Sequence, residues 1–136
     1  MQTFNFKGWK INRSGILSHP LHKTYDIKCN TTAQIVYFGK RYEIHRVIWC
    51  ISHNMTEVPE GYHVHHIDTV RTNNRPDNLV ALPEQAHLQA HKIYNKCAVI
   101  AHNNRRIKYP FREYDAYIQS WKALDLWGPF FLRILL

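Results

Sequence analysis

"GYHVHHIDTVRTNNRPDNLVALPEQAHLQAH", residues 61–91, holds five of the chain's ten histidines and sets three asparagines between its two histidine groups. Its periodicity changes along its length. "YHVHH" (62–66) alternates as a half-buried strand does, "TVRTNNRPD" (69–77) is a polar loop carrying a proline, and "NLVAL" (78–82) reads as a second short strand. Pro83 stands where a helix can begin, because its missing N–H has no intrahelical acceptor at the first position, and Glu84 adds negative charge to the first turn. A helix from about Pro83 to Ile93 or beyond is expected, although Leu82 supplies no side-chain cap. The order strand, loop, strand, helix sets an α+β expectation for the chain.

Upstream, Ile44, Val47, Ile48 and Ile51 recur at helical spacing, so residues 44–54 read as a helix with one buried stripe. Before it, "WKI", "GIL", "YDI" and "QIVYF" are separated by turn signals, which makes residues 1–43 a small, basic, β-rich part. Downstream, residues 105–136 form a helical C-terminal part in which Tyr114, Tyr117, Ile118, Trp121 and Leu124 make an aromatic stripe suited to a core. The closing "FFLRILL" (130–136) is too short to span a bilayer and is expected to pack on the body or on a partner.

A length of 136 residues suits one domain. Eighteen Lys plus Arg against ten Asp plus Glu leave a formal charge of +8, which favours a polyanionic partner such as nucleic acid. No apolar run resembles a signal peptide or spanning helix, so a soluble, cytoplasmic protein is expected. Cys29, Cys50 and Cys97 lack the paired spacing of zinc knuckles or redox dithiols and read as free, buried thiols.

His87 and His91 are i and i+4 on the expected helix, so their rings project from one face and can share one ion. A third ligand is required. Adjacent residues of a strand face opposite ways, so only one of His65 and His66 can join that ion from a regular strand, leaving the other for proton transfer. For His19, His22, His45, His53, His63 and His102 the context asks for nothing beyond a surface or hydrogen-bonded core residue.

The register of these residues resembles the HNH nuclease family. Asn78 lies thirteen residues after His65, and His87 nine after Asn78, with "VHHID" (64–68), "NNRPDNL" (73–79) and "EQAH" (84–87) as the surrounding words. "YFGKRYEIHRVIW" (37–49) is similar to the lead-in of small phage homing-type HNH endonucleases. The resemblance implies a ββα-metal core at residues 61–95, with His65 and His87 as metal ligands, His66 as general base and Asn78 bracing the loop that orients His66. It also matches His91 to an additional histidine in some relatives, either a third ligand or a phosphate contact, and gives Asp68 a structural role in the loop.

The implied activity is metal-dependent hydrolysis of double-stranded DNA leaving 5′-phosphate and 3′-hydroxyl ends, in a bacterial host cell if the chain is phage-encoded. Magnesium or manganese follows from the resemblance, whereas an all-imidazole set also suits zinc or nickel. Arg71, Arg75, Lys92, Lys96, Arg105 and Arg106 are candidate phosphate contacts, and Lys7, Lys10, Arg13, Lys28, Lys40, Arg41 and Arg46 a second surface. The flanks show no heptad seam, so a monomer or weak dimer is expected. The competing readings are a zinc-stabilised DNA-binding module without catalysis, and the same nuclease chemistry in a restriction, packaging or toxin role.

Overall fold

The computed structural model describes residues 6–12, 15–26, 34–37 and 40–125. In chain order its elements are β1 (Lys10–Ile11), β2 (Ile16–His19), β3 (His22–Asp26), β4 (Gln34–Tyr37), β5 (Lys40–Glu43), α1 (Ile44–His53), β6 (Tyr62–His66), β7 (Leu79–Pro83), α2 (Glu84–Asn103) and α3 (Arg112–Asp125). One turn of 3-10 helix at Pro76–Asn78 leads into β7 and interrupts what the sequence presents as plain loop. Three antiparallel sheets result, β1-β2-β3, β4-β5 and β6-β7, and the class is α+β.

The β6–β7 hairpin divides the interior. Its register sets Val64 opposite Ala81, His65 opposite Val80 and His66 opposite Leu79, and side chains alternate between its two faces. Val64, Leu79 and Ala81 join a core with α1, Phe6, Trp9 and Leu17. Val80 and Leu82 join a second core with Ala86, Ala90, Ile93 and Cys97 of α2 and with Tyr114 and Ile118 of α3. Strand β7 is therefore apolar at successive positions because both of its faces are covered.

Helix α1 buries the expected stripe together with Trp49 and Cys50. It stops at Asn54, which adopts the left-handed conformation (φ 54°) and donates its N–H to the Cys50 carbonyl, a role asparagine tolerates better than other non-glycine residues. Ahead of β1, Phe6 and Trp9 exchange backbone hydrogen bonds across a turn in which Lys7 and Gly8 both have positive φ. Gly8 is required twice over, since a Cβ there would lie 2.7 Å from His19 Nε2.

Two expectations change. Pro83 is the last residue of β7, paired with Tyr62, and only caps α2; its ψ of 154° is extended, so the helix starts at Glu84, whose N–H donates to Gly61 O. The helix then runs to Asn103, as the expectation of Ile93 or beyond allows, because Cys97 continues its buried face. In α3, Tyr114 and Ile118 are buried with Tyr117 and Trp121 packed beside them, but Leu124 is exposed, one turn past the end of the second core. Cys50 and Cys97 are free and buried, and burial pushes the Cys50 thiol up to about 12. Cys29, Arg13, Lys28 and "FFLRILL" lie outside the described residues.

Leu82 is 0% exposed whereas Leu88 on α2 is 51% exposed, so the same truncation should differ sharply at the two sites. Leu82→Ala is expected to cost about 2–5 kcal/mol and Leu88→Ala less than about 0.5 kcal/mol, as read from urea denaturation midpoints. Equal effects would contradict the second core.

Candidate active site and metal centre

On the α2 face of the hairpin, His65 is 1% exposed and its ring centroid lies 5.1 Å from that of His87 and 4.9 Å from that of His91. His87 and His91, one helical turn apart, bring their Nε2 atoms to 3.0 Å. The three residues each offer a ring nitrogen within 4.8 Å of the others, and among the described residues this group has no carboxylate member. Burial, and then the neighbouring imidazoles His91, His87 and His66, push His65 down to about 3; burial with His91, His63 and His66 takes His87 to about 4. Neutral rings with free lone pairs are the form in which imidazole ligates a metal, so the residues present fit a divalent ion.

His66, the next residue, faces the other way, toward α1. Its ring centroid is 4.9 Å from that of His45, and its Nε2 is 2.8 Å from Asn74 Oδ1. An amide oxygen only accepts, so His66 donates from Nε2 in this contact. Asn74 is 2% exposed and is the residue that sequence reasoning missed; the signal was its place in the "NN" pair, from which no spacing rule singled it out. His63 was left without a role and stacks on His87, centroids 5.2 Å apart.

The loop between β6 and β7 is closed by a carboxamide–carboxylate knot. Asn78 Nδ2 donates to Asp68 Oδ1 at 2.9 Å and to the Asn73 carbonyl at 2.9 Å, while Asn78 Oδ1 accepts from Asp68 N–H at 3.0 Å. Asp68 Oδ2 accepts from Asn73 Nδ2 at 2.7 Å, and Oδ1 from Val70 N–H at 2.8 Å. Partial burial alone would raise the Asp68 carboxyl; the hydrogen bonds from Asn73, Val70 and Asn78, with the nearby His66 imidazole, outweigh it and hold the carboxyl below its ordinary value. Thr69 sits in the left-handed region at φ 62°, which is uncommon for a β-branched residue, and its N–H donates to His66 O at 2.9 Å. Hydrogen bonds join Asn78 to Asp68, Asn73 and the Ile67 N–H, so it holds the segment that follows His66.

Helix α3 completes the site. Tyr114 is buried, its hydroxyl lies 2.9 Å from His65 Nε2 and donates to the Ile67 carbonyl, and burial raises its phenol well above the ordinary value. The sequence stripe registers Tyr114 as core and says nothing of this hydroxyl.

Arg71, Arg75, Lys92, Lys96, Arg105 and Arg106 are all exposed. Lys96 is partly committed, since its Nζ lies 3.0 Å from Glu113 Oε2 across the α2–α3 pair. In the upstream set, Lys7, Arg41 and Arg46 line a cleft of about 450 Å³, in which Glu43 and Glu57 offset part of their charge.

With this geometry in view, residues 42–89 match the family model described as HNH endonuclease, a segment running from β5 through α1 and the β6–β7 hairpin to the second turn of α2. The match makes this segment, about a third of the chain, similar to HNH endonucleases. It contains His65, His66, Asn74, Asn78 and His87; His91 and Tyr114 lie beyond it. No curated protein and no solved structure matches the chain. Among the described residues, no helix is long and apolar enough to cross a membrane.

His45 provides a pH test. Burial, then repulsion from His66, Arg46 and His87, the imidazoles repelling only when protonated, lowers it from 6.5 to about 4; Glu43 Oε2 stands 3.5 Å from its Nε2 but is exposed to screening water, so burial prevails. Below pH 6.5 the unfolded chain takes up a proton that native His45 refuses, so this contribution to stability is complete above pH 6.5 and is lost as pH falls toward 4. Denaturant titration of chelator-treated protein between pH 7 and 4.5 should show falling stability, with a shallower slope in His45→Gln. An unchanged slope would contradict the buried, neutral His45.

Proposed function

We propose that this chain is a metal-dependent HNH endonuclease that hydrolyses phosphodiester bonds of double-stranded DNA, with His65, His87 and His91 holding one divalent ion and His66 acting as general base. The observation that carries this reading is the division of the adjacent pair: His65 turns to His87 and His91, and His66 turns to Asn74. A site for charge stabilisation and a site for proton removal thus stand on neighbouring residues at one strand end.

Asn74 keeps the His66 proton on Nε2, so Nδ1 accepts a proton from the attacking water. Asn78 and Asp68 keep the loop after His66 closed, which holds the imidazole at a constant distance from the three-histidine group. A divalent ion there supplies stabilisation of the negative charge that develops at phosphate and at the leaving 3′ oxygen. Magnesium or manganese suits the turnover, and zinc or nickel suits the imidazole donors. Among the described residues the group offers three protein donors rather than four, which favours a catalytic site over a closed structural one and separates this reading from the zinc-stabilised binding module. The net charge of +8 and the exposed Arg71, Arg75, Lys92, Arg105 and Arg106 support a duplex phosphate backbone as substrate. The similarity of residues 37–49 to small phage homing-type enzymes supports that type over a restriction, packaging or toxin role.

His66→Ala is expected to lower plasmid cleavage by about 10²–10⁴-fold while leaving metal affinity nearly intact. His87→Ala should instead weaken binding of manganese or zinc in calorimetry more than any histidine change outside residues 61–91. Equal loss of binding and cleavage in His66→Ala would remove it as the base. Cleavage that persists in excess chelator would remove the metal.

One HNH register per chain implies one phosphodiester cut at a time, by a monomer or a weak dimer. Low enzyme should convert supercoiled plasmid to open circle before linear product appears, at a rate first order in protein. Direct linearisation with second-order dependence would show a dimer cutting both strands together.

A further inference from the structure

We infer that Tyr114, on α3 and outside the matched segment, is a positioning residue that selects the tautomer of His65 and thereby presents its Nδ1 to the metal. The inference rests on the metal reading above. A tyrosine hydroxyl has one proton, and the geometry here assigns it: Ile67 O is a carbonyl and can only accept, so the Tyr114 proton points to it. The hydroxyl must then be the acceptor toward His65 Nε2, 2.9 Å away, and that nitrogen must carry the N–H. Nε2 is thereby occupied. The lone pair of His65 is confined to Nδ1, and His65 is 1% exposed, so water does not supply a competing partner.

The same hydroxyl acts on the base. Ile67 directly follows His66; its N–H donates to Asn78 O at 2.8 Å and its carbonyl accepts from Tyr114, so both backbone polar groups of this residue are paired. Tyr114 is itself set by the second core and by an edge-on contact with Tyr94, centroids 5.1 Å apart. Helix α3 is thus a working part of the metal centre. Hydrogen-bond partners of this kind, once removed, weaken metal affinity by about 10- to 100-fold.

The test uses full-length wild type, Tyr114→Phe, Tyr117→Phe and His87→Ala. Tyr117 lies on the same helix, and its hydroxyl is 3.4 Å from Ala86 O, away from His65, so its change controls for hydroxyl loss from α3. Long-range proton–nitrogen NMR of the metal-free proteins reads the His65 tautomer, and zinc titration reads affinity. Wild type and Tyr117→Phe should show a protonated Nε2 and an unprotonated Nδ1 at His65. Tyr114→Phe should lose that preference and bind zinc about 10- to 100-fold more weakly while keeping its fold by circular dichroism. A purely packing role would lower thermal stability and move neither readout. Wild-type zinc uptake that depends on His87, with tautomer or affinity unchanged in Tyr114→Phe, overturns this inference alone. Wild type that takes up no zinc overturns it together with the metal reading.

Discussion

The pairing of Tyr62–His66 with Leu79–Pro83 is the constraint on which the rest of the molecule depends. An antiparallel pair alternates its side chains strictly between two faces, and here both faces are covered by helices. The register therefore does two things at once. It sends Val64, Leu79 and Ala81 to one core and Val80 and Leu82 to the other, and it sends two adjacent histidines to different neighbourhoods. A one-residue slip would exchange the faces, burying His66 against α2 and turning His65 toward α1, so the packing that stabilises the fold also decides which neighbours each imidazole meets.

A strand end is a poor place to hold a side chain still, and the loop after His66 answers this with polar contacts instead of apolar ones. Asp68, Asn73 and Asn78 satisfy one another and the local backbone, so a long connection behaves as a closed unit with a left-handed residue at Thr69. These groups are exposed or half-buried, and their shared donors and acceptors couple the hydrogen bonds into one network. Asn74 and Tyr114 extend it to the two imidazoles, one from the loop and one from α3.

The electrostatics follow from the same packing. Burial, with the repulsion that clustered imidazoles feel when protonated added to it, holds His45, His65 and His87 neutral. Neutral rings carry the lone pairs that a metal or a proton needs. Positive charge lies on exposed arginines and lysines such as Arg71, Arg75, Lys92, Arg105 and Arg106.

Much of this was determined by sequence alone. Hydrophobic period distinguishes the α1 stripe from the alternation of β6, and the i, i+4 spacing of His87 and His91 puts both on one face wherever that helix packs, because these are local rules of backbone geometry. The spacing of His65, Asn78 and His87 likewise carried the resemblance that the family match then supported over residues 42–89. Tertiary structure decided what those rules do not reach. His65 and Tyr114 are 49 residues apart, and a tyrosine in an apolar stripe reads as core whether or not its hydroxyl touches an imidazole. The choice of Asn74 as the partner of His66 and the approach of His45 depend on how α1 and the loop settle on the hairpin. The boundary at Pro83 shifted because its fixed φ is equally compatible with ending a strand and starting a helix, and only the pairing with Tyr62 chose between them.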